Sequence, residues 1–360
     1  MNNDYYLSFT SEDSIDSIKK IINEAKNSID MEIFYFLEDN IGREILKILI
    51  DKANQGLKIR LMFDHVGSYE FSNSPILKIL EMNNIKVKFF NSIFPFSKNQ
   101  KSIWFLRNHR RTIIVDDKYL FTGSVCIGES TINWRELSIV IKDRIIINKV
   151  KKIFNRTWFK VYGHTFNIGS TNKRDLSDIY DFNYITQSPL QLKRYIYKYY
   201  LRSIKEARES IYLVVPYFVP NKRFIKHLLK ASKRHVNVNI VLPLKTDINI
   251  VDLARNTYIH NLLKYKINIY FHSEMIHSKF AIFDNKEAFV GTMNLDNLSL
   301  TYNYECGLKI LNQNCISDLI RYIKGELIPQ SQKMDLNTWS RRSFSIKVKE
   351  KIVWIFRKFL

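Results

Sequence analysis

The sequence predicts an α/β protein made of two similar halves. Three features support this fold: a hairpin motif that occurs twice, a repeated strand upstream of each copy, and a regular alternation of strand and helix patterns. With 360 residues, of which 46% are hydrophobic, the chain is long enough for each half to bury a core. We therefore expect two halves, each a mixed sheet flanked by helices, that close on each other.

The hairpin motif is clearest in residues 275–305. The apolar run 280–283 is followed by a turn signal at Asp284, and the chain returns as a second apolar run at 288–290. His277 and Lys279 precede this hairpin and, being two residues apart on a strand, are expected to point to the same side.

An imidazole and an ammonium on one face, with Asn294 and Glu305 downstream, indicate a phosphate-binding site. On this stretch alone, a half-exposed strand with an incidental histidine and lysine explains the pattern equally well. The same spacing in an earlier segment favours the phosphate site. There, His109, Arg111 and Asp116 repeat the intervals of the later histidine, lysine and aspartate.

The distances to a downstream glutamate also agree between the two copies. Glu136 lies 27 residues after His109, and Glu305 lies 28 residues after His277. Upstream, the segment 28–36 (SIDMEIFYF) is matched by 210–218 (SIYLVVPYF), so the chain is an internal duplication. Periodicity further predicts helices at 14–26, 41–53, near 75–82, up to about 162 and at 190–207, and strands at 57–65, 85–90, 137–141 and 236–244.

The paired histidine, cation and aspartate motif resembles the phospholipase D superfamily, and the surrounding residues resemble its bacterial cardiolipin synthases. The similarity spans roughly residues 28–323 and is carried by the stretches RLMFDHVGS (60–68), RNHRRTIIVDD (107–117), MIHSKFAIFD (275–284) and VGTMNLDNLSL (290–300). The resemblance implies two phospholipase D-like halves packed as a pseudo-twofold dimer with the active site between them. The doubled motif is specific for the superfamily and much less specific for the substrate.

The resemblance implies catalysis by the two histidines, because imidazole is accessible in both protonation states near neutral pH. By analogy, His109 is the nucleophile that forms a phosphohistidine and His277 is the acid and base, although the residues themselves do not decide between them. Lys279 and Arg111 are expected to neutralise charge on the phosphate, with Asn294 donating a further hydrogen bond.

The carboxylates of the two motifs are expected to support the histidines. Glu136 and Glu305 are placed to hold the imidazoles in the required tautomer and to favour their charged form. Asp116 and Asp284 are expected to anchor the site rather than to react. The sequence shows no metal-ligand spacing, no cofactor is expected, and the resemblance implies metal-independent catalysis.

The first copy departs from the family pattern at three positions. Arg111 replaces the usual lysine, which keeps the charge and adds a bidentate fork. Cys126 lies 17 residues after His109, where the second copy has Asn294 at the same interval. Because a thiol is a weak hydrogen-bond donor, the first half is expected to stabilise the phosphate less. Glu136 replaces an aspartate that is common in the family.

The formal net charge of +21 favours anionic partners, either an anionic membrane or nucleic acid, and does not separate the two. The three cysteines lack the spacing of a zinc site and indicate reduced thiols in a cytosol-facing protein. The N-terminal residues lack the pattern of a signal peptide, and no apolar run is long enough to span a membrane. A peripheral protein on the cytoplasmic face of the membrane is therefore expected; its oligomeric state is not indicated.

The expected organisation is a first half at 1–162, a second half at 163–330 and a basic amphipathic tail at 331–360. In the tail, Phe344, Val348, Ile352 and Ile355 fall at helical spacing among lysines and arginines. Such a helix either lies on an anionic bilayer or packs on its own domain. The aromatic and basic segment 91–107 is either an interfacial loop beside the active site or a loop packed into the core.

Three functions are consistent with these features. The closest motif match is a phosphatidyl transferase that makes cardiolipin from phosphatidylglycerol. A phospholipase D-type hydrolase would use the same residues with water, and a nuclease of the superfamily would use the positive charge to bind DNA or RNA. A non-enzymatic lipid- or nucleic-acid-binding protein is a further alternative. Asp247, finally, is expected either to cap the following helix or to contact the substrate.

Overall fold

The computed structural model describes residues 4–91, 106–160, 180–189 and 194–355. Within these ranges the chain forms two mixed sheets with flanking helices, which confirms the predicted duplicated α/β fold. The predicted loop at 91–107 and the predicted connection between the halves, residues 163–181, lie almost entirely outside the described residues.

Each half is built on one sheet. The strands of the first are β1 (Tyr5–Ser8), β2 (Ser28–Ile33), β3 (Lys58–Asp64), β4 (Lys86–Phe90), β5 (Thr112–Val115), β6 (Tyr119–Gly123) and β7 (Ser138–Ile141). The strands of the second are β8 (Phe182–Gln187), β9 (Ser210–Val214), β10 (Asn237–Pro243), β11 (Asn268–His272), β12 (Phe280–Phe283), β13 (Glu287–Gly291), β14 (Glu305–Ile310) and β15 (Ser331–Met334).

The two sheets have equivalent topologies. The first has the order β1-β7-β6-β5-β2-β3-β4, and the second has the order β8-β14-β13-β12-β9-β10-β11 with β15 added at its edge. In each sheet three neighbouring strands are parallel, and the predicted hairpin, β5–β6 or β12–β13, adds antiparallel strands beside them. The duplication seen in the sequence is therefore a duplication of structure.

The helices cover the outer faces of the sheets at positions close to those predicted from periodicity. They are α1 (Ser11–Asn23), α2 (Asn40–Asn54), α3 (Tyr69–Ser72), α4 (Ile76–Met82), α5 (Arg144–Lys160), α6 (Tyr195–Glu206), α7 (Lys222–Lys233), α8 (Asn249–Lys264), α9 (Asn297–Thr301), α10 (Gln313–Tyr322), α11 (Leu336–Ser340) and α12 (Phe344–Ile355). Side-chain caps fix several helix starts; Asp39, for example, accepts a hydrogen bond from the amide of Gly42 at the start of α2.

The halves meet through the inner faces of the sheets. Side chains alternate along each strand, so Ile113 of β5 packs in the core of the first half whereas Ile114 points into a cluster shared by both halves. In β12, Ala281 packs in the core of the second half and Ile282 points into the shared cluster. This arrangement explains why the hairpin strands are apolar on both faces, and it rigidly joins the two copies of the motif.

The region expected to form a separate tail begins inside the second half. Strand β15 pairs with β11, and Trp339 of α11 belongs to the hydrophobic core of that half. Helix α12 then packs against α8. Within the described ranges, no helix combines the length and the apolar character needed to cross a lipid bilayer.

Candidate active site

The two motif histidines lie at the edge of the sheets where the central parallel strands end. Strand β5 is antiparallel to β2, so His109 and Arg111, which precede β5, lie near the carboxyl end of β2. By the same geometry His277 and Lys279, which precede β12, lie near the carboxyl end of β9. All four side chains are buried, as expected for residues of a site at the interface between the halves.

Each histidine is paired with a glutamate of the opposite half. The Nδ1 atom of His109 lies 3.0 and 3.1 Å from the two carboxylate oxygens of Glu305. The Nδ1 atom of His277 lies 2.7 Å from Oε1 of Glu136. Both glutamates are fully buried. The sequence indicated that the glutamates support the imidazoles but did not reveal that the pairs cross between the halves.

Backbone hydrogen bonds between the halves produce these crossed pairs. The amide of His109 donates to the carbonyl of Tyr304 at 2.9 Å, and the amide of His277 donates to the carbonyl of Arg135 at 2.7 Å. Each acceptor is the residue directly before a pairing glutamate. The pseudo-twofold docking thus sets the position of each imidazole relative to its carboxylate.

Hydroxyl groups hold the two carboxylates in equivalent positions. Ser124 donates a hydrogen bond to Glu136, and Thr292 donates one to Glu305. Each hydroxyl oxygen also accepts a backbone amide from the residue after the glutamate, at 3.1 Å from Leu137 and at 3.0 Å from Cys306. Ser124 and Thr292 follow the repeated Gly123 and Gly291, so the duplication preserves this support as well.

The two cations fold back toward the histidines that they accompany. Arg111 donates from Nη1 to the carbonyl of His109 at 2.8 Å and from Nε to the carbonyl of Val125 at 2.8 Å. Lys279 donates from Nζ to the carbonyl of His277 at 2.6 Å. An ammonium has three N–H donors and a guanidinium five, so both groups retain the capacity to bind an anion.

Burial and neighbouring positive charge disfavour protonation of the histidines. Burial, followed by the charges of Arg111 and Lys279, lowers the pKa of His109 well below its usual value. Burial also lowers the pKa of His277, but the Glu136 carboxylate opposes this change. The same burial lowers the pKa of Lys279 to about 8. Protonation is therefore less favourable at His109 than at His277.

The pKa values of the two glutamates are shifted in opposite directions. Burial raises the pKa of Glu305 to about 8. Burial also opposes ionisation of Glu136, but His277 and Lys279 outweigh it and lower the pKa of that carboxyl group. The site is symmetric in its fold and asymmetric in its charges, because ionisation of both partners is less disfavoured at the Glu136–His277 pair than at the Glu305–His109 pair.

The motif aspartates lie at the far ends of the hairpin strands from the imidazoles. Asp116 accepts hydrogen bonds from the amides of Asn27 and Ser28 at 2.7 Å each, and its φ of 54° belongs to the turn. Asp284 accepts hydrogen bonds from three backbone amides, including that of Glu209 at 2.7 Å. Although both belong to the motif, they bind the hairpin to the start of the neighbouring strand and do not reach the imidazoles.

Cys126 and Asn294, which occupy equivalent positions in the two copies, are both buried at the site. The guanidinium of Arg111 lies 3.5 Å from the Cys126 sulfur. The side-chain oxygen of Asn294 is buried without a hydrogen-bond partner in the structure. The unsatisfied amide oxygen is suited to accept a hydrogen bond from a ligand, whereas the thiol is already in contact with the neighbouring cation.

One group of residues combines ligand types that zinc prefers. Ligand atoms of Cys126, Glu136 and His277 lie within 4.8 Å of one another, and all three residues are buried. The sequence indicated no metal-ligand spacing, because these residues come from different halves. The neighbouring Arg111 and Lys279 charges oppose cation binding, so the set of side chains fits an anion better than a metal.

Three aromatic residues at the site were not identified from the sequence. The ring centroid of Phe34 lies 4.7 Å from that of His109, and those of Trp134 and Tyr217 lie 5.0 and 6.2 Å from that of His277. Phe34 and Tyr217 lie among the last three residues of the repeated segments 28–36 and 210–218, so the repeat offered a signal for both. Trp134 has no such signal, because it reaches His277 only through the docking of the halves.

Of the two alternatives expected for Asp247, the structure does not support helix capping. The residue that caps α8 is Ile248, without a side-chain hydrogen bond. Asp247 instead accepts a hydrogen bond from the hydroxyl of Tyr217 at 2.6 Å. It therefore fixes an aromatic residue beside His277.

A duplicated mixed-sheet fold in which both halves contribute a histidine, a cation and a glutamate defines a protein of the phospholipase D type. Residues 18–158 and 200–326 match the family described as cardiolipin synthase, phospholipase D-like domain. The chain belongs to this family, and it is a phosphatidyltransferase of the phospholipase D superfamily.

Relatives with curated names are cardiolipin synthases. The enzyme of Geobacillus kaustophilus is 26% identical, over 95% of this chain and 69% of its own length. Cardiolipin synthase A of Buchnera aphidicola is 28% identical, over 100% of this chain and 76% of its own length.

Two solved structures share the fold at low sequence identity. Phosphatidylserine synthase of Haemophilus influenzae has a TM-score of 0.76 at 11% identity, covering 100% of this chain and 96% of its own. Polyphosphate kinase of Porphyromonas gingivalis has a TM-score of 0.61 at 12% identity, covering 92% of this chain and 49% of its own. At these identities the comparison establishes the fold alone.

Proposed function

We propose that the enzyme transfers a phosphatidyl group from one phosphatidylglycerol molecule to a hydroxyl group of a second, forming cardiolipin and releasing glycerol. The observation that carries this proposal is the pair of crossed contacts, His109 with Glu305 and His277 with Glu136, beside two buried cations. The names of the similar proteins supply the choice of substrate.

In the first step, Nε2 of His109 attacks the phosphorus and the bond to the glycerol oxygen breaks. His277, as imidazolium, gives its proton to the leaving oxygen. This assignment is supported by the charges: the pKa of His109 is lowered well below its usual value, whereas the Glu136 carboxylate favours a proton on His277.

In the second step, the now neutral His277 removes the proton from a hydroxyl group of the incoming phosphatidylglycerol. The resulting oxygen nucleophile attacks phosphorus, and the bond to His109 breaks. The two steps restore His109 as imidazole and His277 as imidazolium, and they require no cofactor in their proton balance. Two displacements at phosphorus replace one direct exchange between bulky lipids.

The charged groups stabilise the phosphorus centre during both displacements. Arg111 and Lys279 neutralise negative charge on its non-bridging oxygens, and Asn294 donates from its amide nitrogen. Because the site is buried, these interactions are stronger than they would be in water. The Nδ1–H groups of His109 and His277 donate hydrogen bonds to Glu305 and Glu136, which leaves each Nε2 directed to phosphorus.

The lipid substrate implies that the enzyme works at a membrane surface. A formal net charge of +21 attracts the protein to anionic phospholipid, the class to which phosphatidylglycerol belongs. We place this contact on the cytoplasmic face, in line with three buried free cysteines.

The full-length protein should be incubated with phosphatidylglycerol vesicles and, separately, with single-stranded DNA. Cardiolipin and glycerol in equal amounts support the proposal. Phosphatidic acid without cardiolipin would identify a hydrolase, and cleaved DNA with unchanged lipid would identify a nuclease. His277→Asn is the control: it should make no product while its thermal unfolding stays cooperative.

A further inference from the structure

Helix α12 is attached to the protein through a side that carries a charged residue. Its buried residue is Glu350, which accepts a hydrogen bond from Arg342. Val353, which lies on the same side at a spacing of three residues, is half-buried and packs against a cluster at the start of α8. The side of the helix that carries Glu350 and Val353 therefore faces the protein.

The opposite side of α12 is apolar and exposed. Phe344, Val348, Ile352 and Ile355 follow one another at intervals of four, four and three residues, which places them in one stripe along the helix. Phe344 is 81% exposed and Ile355 is 65% exposed. A contiguous apolar stripe in solvent is a feature of surfaces that bind another molecule or a membrane.

Positive charge borders this stripe. Lys351 lies beside it on one edge and Lys349 on the other, and both are exposed. Lysines have long apolar stems that let the ammonium group reach phosphates while the stem lies along apolar surface. An apolar stripe between lysines is complementary to an anionic lipid surface, where acyl chains lie below a layer of negative phosphates.

The helix lies next to the active-site edge of the second half. Val353 packs with the cluster that contains Tyr217, whose ring centroid is 6.2 Å from that of His277. Ile248 and Ile250, at the start of α8, are exposed on the same edge, where the parallel strands end. Apolar surface therefore extends from α12 toward the site.

We infer that the outer face of α12, together with Ile248 and Ile250, docks the enzyme on an anionic phospholipid bilayer with the active-site edge toward the headgroups. This surface rests on the proposed function only for the choice of phosphatidylglycerol as the lipid. Docking by this face brings lipid phosphates to the side of the protein on which His277 lies. The two sequence-based alternatives for this helix are then both met: its inner side packs on its own domain, and its outer side contacts the bilayer.

The test is sedimentation of the full chain with vesicles of phosphatidylglycerol and phosphatidylcholine. Phe344→Ser/Ile352→Ser should weaken vesicle binding by roughly ten-fold or more, because the substitutions replace two apolar side chains of the stripe with small polar ones. The matched control is Met82→Ser/Ile145→Ser, which removes side chains that are 82% and 62% exposed at the opposite edge of the first sheet. The control should bind as the wild type does.

A second measurement follows the position of Trp354, which lies on α12 and is partly exposed. Brominated phosphatidylglycerol should quench part of the tryptophan fluorescence of the wild type, and Trp354→Phe should remove that part. Raising the salt concentration should weaken binding to anionic vesicles, because it screens the lysines.

Equal vesicle binding by wild type and Phe344→Ser/Ile352→Ser would overturn the inference. So would self-association in lipid-free solution that the same substitution abolishes, because the stripe would then bind a second copy of the chain. The outcomes are separable from those of the proposed function. Vesicle binding through this face without cardiolipin synthesis contradicts only the function, and synthesis with unchanged binding of the variant contradicts only the docking surface.

Discussion

The Nδ1 atom of His277 lies 2.7 Å from the carboxylate of Glu136, although 141 residues separate them in the sequence. The glutamate that the duplication places in the same repeat as His277, namely Glu305, is paired with His109 instead. Neither half therefore holds both members of a histidine–glutamate pair. Each imidazole is oriented only when the two halves are docked.

Double-mutant cycles on unfolding free energy should detect this crossing. Glu136→Gln and His277→Asn should show a coupling of about 1–3 kcal/mol, because they remove the two members of one buried pair. Glu136→Gln and His109→Asn should show a clearly smaller coupling, because these two side chains are not paired with each other. Coupling of similar size in the uncrossed combination would contradict the observed pairing.

The pH dependence of activity should report the charge on Lys279. Its pKa is lowered to about 8, so the ammonium is present below that pH and is lost above it. Wild-type kcat/KM should therefore fall between pH 7 and pH 9, in part from this loss. Lys279→Arg, which introduces the residue type found at the equivalent position 111, should reduce the fall, because a guanidinium side chain keeps its charge over this pH range. An unchanged profile in the variant would show that Lys279 does not act through its charge.

The two equivalent positions 126 and 294 should contribute unequally. Asn294→Ala should lower kcat roughly 100-fold, the cost of losing one preorganised donor. Cys126→Ala should lower it less than about ten-fold, because a thiol is a weak donor and already contacts Arg111. Steady-state assays on phosphatidylglycerol check this, and equal losses would contradict the assignment of Asn294.

Asp284 should matter for stability and not for chemistry. Asp284→Ala removes the acceptor of three backbone amides and should lower the free energy of unfolding by about 1–3 kcal/mol. The kcat of the folded variant should stay within about three-fold of wild type, since the carboxylate lies at the far end of β12.

Asp117→Ala is the matched control for this substitution. Asp117 also occupies a hairpin turn at positive φ, 52° against 51° for Asp284, and its carboxylate pairs with Lys151 at the surface. Alanine is disfavoured at positive φ in both variants, so this backbone cost is shared. Loss of the Asp117–Lys151 pair should lower the free energy of unfolding by at most about 1 kcal/mol more. A large fall in kcat for Asp284→Ala at full stability would assign that carboxylate to the reaction.

The sequence was sufficient to predict what is local. Strand alternation and turn signals placed both hairpins, and the repeated spacing placed His109 and His277 before equivalent strands. The alternation of strands and helices gave the fold class. These features depend on intervals within one half, and the duplication supplied each interval twice.

The sequence was not sufficient for features that depend on docking. The crossed glutamates, the position of Trp134 beside His277 and the approach of Cys126 to His277 are set by contacts between the halves, which sequence spacing does not encode. Helical periodicity likewise predicted the apolar stripe of α12 but not that this stripe faces outward while Glu350 faces the protein. For Asp247, the helix-capping alternative was wrong, because Ile248 caps the helix and the Asp247 carboxylate accepts a hydrogen bond from Tyr217.

The central claim is that His109 forms a covalent bond to phosphorus during turnover. The enzyme should be mixed with phosphatidylglycerol radiolabelled in its phosphate, quenched without acid within one turnover, and digested for peptide mapping. We predict label on the peptide that contains His109, and none in His109→Asn. Label on the His277 peptide, or cardiolipin formation by His109→Asn, would contradict the account.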